Sequence, residues 1–159
     1  MKIIYCCFGG SHSSVTAAAI HLGMLSSTRI PSRQELLNIP FFERQTAKDH
    51  GLFRFMGCDE LGREVYIVGK HNLGKNFEKI IRQVASLFAL NQQELVIIDS
   101  MPYVNFIMMV GGYISRRLGI IFIGRPIVSF GTQKAFLTMA GMVNRVKIKL
   151  AARSQEESL

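Results

Sequence analysis

Residues 6–14, CCFGGSHSS, gather two thiols, two glycines, an imidazole and three hydroxyls in nine positions. Gly9 and Gly10 permit close backbone approach, and Ser11, His12, Ser13 and Ser14 add donors where a helix is expected to begin. Amides and partial positive charge at such a helix start favour a phosphate or carboxylate. Cys7 ends the preceding apolar run, a position that can stabilise a thiolate nucleophile. His12 could donate to an anion or move a proton. Asp99 ends LVIID, where a carboxylate can hold Mg²⁺ or orient water, and Ser100 follows it. Arg125 in GRP could supply the cation that the first loop lacks. Thr132 in GT could cap the last helix or add a hydroxyl to the site.

Several chemistries lack their residues. A Walker loop reads G-x-x-x-x-G-K-[ST]; neither Gly9 nor Gly10 begins one, and no lysine occurs between Lys2 and Lys48. His12, His21, Asp49, His50, Cys58 and Asp59 match no recognised zinc spacing, so no metal site is assigned. Three cysteines form neither a disulfide framework nor a CxxC pair, which points to reduced thiols and the cytoplasm. The longest apolar stretch, MPYVNFIMMVGGYIS, has 15 residues. A spanning helix needs about 20. The net charge of +8 suits an anionic partner. The absence of an aromatic–basic stacking motif argues against nucleic acid.

Hydropathy then supplies the elements that must position these groups. Apolar, β-rich runs predict buried strands at 2–8, 95–99 and 120–123, parallel to one another. Two more runs, 52–57 and 64–69, flank CDELGR as a hairpin. Helices are expected at 13–25, capped by Ser11 or Ser13, at 32–38 between Pro31 and Pro40, and at 77–88. The last of these has Phe77, Ile80, Ile81, Val84, Leu87 and Phe88 on one face. A further helix covers YVNFIMMVGGYISRRLG, with Gly119 as its cap, and another spans 131–150. This order predicts a single layered α/β domain over residues 1–150, with a mainly parallel central sheet, helices on its faces and one β-hairpin. Residues 151–159 are expected to fray. The apolar 101–115 segment suits a homodimer contact as well as burial within one chain.

The first loop has a formal likeness to low-molecular-weight tyrosine phosphatases, whose first strand also feeds a Cys-x-Gly loop and a helix. Cys7 and Gly9 match that pattern, but Ser13 stands where the family has arginine, and a DP general acid is missing. The guanidinium would have to come from Arg125 or Arg116. Over residues 2–140, YCCFGGSHSSVTAAAIHLG, KDHG, GCDELGREVYIVG, IIDSMPYVNFIMMVGGYISRRLG and GRPIVSFGTQKAF resemble a small family of unknown function from spore-forming Gram-positive bacteria. That resemblance implies one cytoplasmic domain and brings no activity with it. The residues themselves suggest a site for a phosphorylated small molecule or nucleotide, with phosphoryl transfer or phosphate-ester hydrolysis as the first reaction class. A non-catalytic regulatory protein with a degenerate nucleotide-binding shape, or a metal-dependent hydrolase, are the alternatives.

Overall fold

The computed structural model describes residues 1–156. Strands β1 (Lys2–Cys7), β2 (Arg54–Cys58), β3 (Glu64–Gly69) and β4 (Leu95–Asp99) form one open sheet in the order β2-β3-β1-β4. β1 is parallel to β3 and β4, whereas β2 is antiparallel to β3, so the sheet is mixed. The hairpin around CDELGR is the β2–β3 pair. Its turn is held by the Asp59 carboxylate, which accepts the backbone N–H groups of Leu61 and Arg63.

Alternate residues of these strands enter different apolar clusters, as a period of two requires. Ile3, Tyr5, Val65 and Ile67 pack with α1 (Ser13–His21) and with Phe136 and Met139. Ile4, Cys6 and Val68 pack with Phe77 and Ile81 of α3 (Asn76–Leu87). The chain therefore leaves β1 and β3, two adjacent parallel strands, into different clusters. α1 is alanine-rich and buried along all of its length, but His12 occupies its cap position, with no side-chain bond to the helix amides, in place of Ser11 or Ser13. It ends at His21, earlier than expected, and Gly23 turns the chain at φ +71°. α2 (Arg33–Asn38) begins with a capping box between Ser32 and Glu35. The amphipathic pattern of α3 correctly gives a helix, yet only Phe77 of the named stripe is fully buried, while Leu87 and Phe88 are exposed.

The largest correction concerns residues 120–123 and the RPIVSFG segment after them. They form no strand: Ile121–Glu156 is one helix, α5, with Pro126 inside it. Local β propensity yields here to packing. α4 (Phe106–Gly112) lies against α5, and Gly111 faces Val128, Gly124 faces Ser115 and Gly131 faces Met108 so closely that a Cβ would strike backbone. The missing side chains let the two helices meet and bury Met108 and Val128. A π-helical turn, Tyr113–Arg117, joins them, and Gly119 reverses the chain at φ +72°. Helix continues through residues 151–156, and residues 157–159 lie outside the described residues.

Candidate functional site

The first loop sits at the carboxyl edge of the parallel strands. The Gly10 N–H donates to Cys7 Sγ at 3.1 Å, and the Ser14 hydroxyl lies 3.1 Å from the same sulfur. Ser13 meets the hydroxyl of Ser100 at 3.0 Å, and Ser100 donates to the Cys6 carbonyl at 2.8 Å. These bonds stitch the start of α1 to the end of β4. Ser11, Ser13 and Ser14 are buried, while Gly9 and His12 remain partly open to solvent. Gly10 has a specific conformational reason: its φ is +70°, and a Cβ there would lie 2.8 Å from the Gly69 nitrogen. Close strand-end packing thus accounts for this glycine.

The three candidate catalytic residues have separate partners. Cys7 is 4% exposed and stays within the loop. Asp99 pairs with the buried ammonium of Lys70 and accepts the Met101 N–H at 3.0 Å. His12 bonds Glu43. Arg125 projects from α5, not from a strand end. Thr132, expected at a helix start, is buried in the middle of α5 and donates to the Val128 carbonyl at 2.8 Å. The interior position leaves no helix terminus for it to cap.

Glu43 is the residue that sequence reasoning missed. Its side chain is fully buried, its backbone lies at φ +55°, and Phe41 before it lies at φ +67°. Such conformations are costly for non-glycine residues and persist where surroundings enforce them. Leu36, Ile39 and Phe42 anchor the segment in the core, and the Glu43 N–H donates to the Ser11 carbonyl at 3.2 Å. Glu43 Oε1 takes a bond from His12 and Oε2 one from the Ser115 hydroxyl. The Nε atoms of Arg116 and Arg125 stand 3.8 and 3.9 Å from Oε2. Burial by itself would raise the Glu43 carboxyl, but His12, Ser115 and Arg116 hold it below the usual range. An ionised carboxylate only accepts, so His12 Nε2 carries the proton of their bond.

One carboxylate faces two guanidinium groups, which leaves a surplus of positive charge beside the first loop. The buried Nε atoms of both arginines make no hydrogen bond among the described residues. Gln45 adds to the wall: its side-chain amide donates to the Gly10 carbonyl, and its backbone carbonyl accepts from Arg116 at 3.3 Å. Metal chemistry has less to build on. Among the described residues no three His, Cys, Asp or Glu side chains gather into a metal site.

A second signal was available in the sequence and lies next to the first. Gly69-x-x-x-x-Gly74-Lys75 has Walker spacing, with Asn76 in place of the hydroxyl residue. It links β3 to α3, and Gly74 adopts φ +52°. His50, Gly69, Lys70, His71 and Phe77 line a shallow cavity of about 330 Å³ here. The two loops touch through the His71 N–H and the Phe8 carbonyl, 2.9 Å apart.

The chain is thus an α/β protein whose open mixed sheet carries a glycine- and hydroxyl-lined loop at the ends of its parallel strands, with two guanidinium groups around one buried carboxylate beside it. The chain belongs to the family described as Protein of unknown function (DUF3189), which matches residues 2–148. Comparison with curated proteins and with solved structures gives no match.

Proposed function

We propose that this protein, as one cytoplasmic α/β domain, binds a phosphorylated small molecule or nucleotide beside the Gly9–Ser14 loop. The observation that carries the reading is the pair Arg116 and Arg125, whose charges outnumber the single buried carboxylate they share. Their forked donors suit phosphate oxygens. The position fits a general rule as well: in open α/β sheets, ligands sit outside the carboxyl ends of strands where adjacent connections diverge. β1 and β3 diverge in that way. The proposal is for binding without turnover, because Cys7 is buried and Asp99 is already paired with Lys70. A second reading puts the phosphate on the Gly69–Asn76 loop, and the adjoining cavity favours it.

Thermal shift with inorganic phosphate, ATP and adenosine tests the proposal. A ligand that binds the folded state raises Tm by mass action. The expected result is a rise with ATP or phosphate, none with adenosine, and loss of the rise in Arg125→Gln with helical circular dichroism retained. Loss in Lys75→Ala, with Arg125→Gln behaving as native, would transfer the site to the second loop. No rise with either phosphate ligand would refute both readings.

A further inference from the structure

The charge of this chain is unevenly distributed. No Asp or Glu occurs between Asp99 and Glu156, so residues 100–155 carry a formal +8, equal to that of the whole protein. Among the described residues, the same segment also holds the longest run of consecutive exposed apolar residues. At the tip of the α4–α5 hairpin, every residue from Leu118 to Ile123 is exposed, and Phe122 is 80% exposed. Phe106 and Tyr113 extend the surface along α4 and its π-helical turn. Arg117 stands exposed at the base of the tip, and Lys134 on α5 lies over the exposed Phe130 ring at 5.1 Å. Among the described residues no helix is long and apolar enough to cross a membrane.

We propose that the α4–α5 hairpin tip is a docking surface for an anionic lipid bilayer. Leu118–Ile123 insert at the boundary between headgroups and acyl chains, while the exposed Arg117 and Lys134 meet the lipid phosphates. An apolar edge bordered by basic side chains is the pattern of segments that lie in a membrane interface without spanning it. Charge complementarity selects this occupant. A second copy docked through the same hairpin would bring a second acid-free, positive segment against the first. A nucleic acid would satisfy the arginines and lysines and could stack on Phe122, but it would give no partner to the exposed aliphatic side chains of Leu118, Ile120, Ile121 and Ile123. The inference is independent of the phosphate site, since Arg116 and Arg125 face Glu43 and the tip residues do not.

Flotation of the full chain with phosphatidylcholine vesicles, and with vesicles of phosphatidylcholine and phosphatidylserine, tests it. The native protein should float only with the anionic vesicles and should be released by high salt. Phe122→Ser should weaken flotation by at least about tenfold, and Arg117→Glu should weaken it while Tm stays native in both. Three outcomes overturn the proposal: no flotation with either vesicle, flotation unaffected by Phe122→Ser, or a native dimer that Phe122→Ser converts to a monomer. Binding to an oligonucleotide without binding to anionic vesicles would also overturn it.

Discussion

Glu43 shows why single residues of the site differ in legibility. Gly9 to Ser14 are neighbours in sequence, so their types and spacing advertise a polar loop before any fold is known. Glu43 lies 31 positions from His12 and sits in FFER, a segment with no chemical motif. Its importance comes from a buried backbone turn that only tertiary structure supplies. Asp59 is a second buried carboxylate, and it gives a residue-scale prediction. Burial would raise it, but the Arg63 and Leu61 N–H groups, the Arg63 guanidinium and His21 hold it down at about 2. An unfolded aspartate titrates near ~3.9. Its folded value is depressed, so its stabilisation is present above that unfolded value and is lost as pH falls through about 2. The amount at stake is about 3 kcal/mol. Glu43 acts with the same sign, and so does His21, whose imidazole is pushed down by burial. Denaturant titration should show Asp59→Asn less stable than native at pH 7 and with a flatter loss of stability below pH 4. Parallel native and mutant curves through that range would refute the assignment.

Among elements, β1 and β4 are legible as short apolar, β-rich runs, the β2–β3 hairpin by its polar, glycine-containing connection, and α3 by the helical spacing of its apolar residues. The α4–α5 hairpin is not, since the apolar IIFI run is compatible with a short strand as well as with a helix. What decides it is a contact between helices at Gly111, Gly124 and Gly131, which no local window contains. The same contact predicts that Gly124→Ala forces the Ser115 backbone away and costs about 1–3 kcal/mol in urea denaturation. A stability within experimental error of native would show that the close approach is dispensable. Because Ser115 and Arg116 follow α4 and Arg125 follows Gly124 in α5, this crossing also sets the far side of the Glu43 cluster. The site therefore depends on an element that sequence patterning assigns to the wrong class.

At the scale of the whole molecule, three distant segments converge on the first loop. β1 and α1 provide the glycines and hydroxyls, the α2 segment delivers Glu43 into the core, and the α4–α5 hairpin brings two guanidinium groups. The net charge of +8 suggested an anionic partner, but only the fold reveals that the arginines gather where the parallel strands end. The most direct measurement is a titration of isotopically labelled protein with inorganic phosphate, followed by NMR of backbone amides and arginine Nε–H groups. Binding at the first loop should give saturable shifts confined to Gly9–Ser14, Gln45 and the Nε–H groups of Arg116 and Arg125. Shifts centred on Gly69–Asn76, or no saturable shift anywhere, would contradict it.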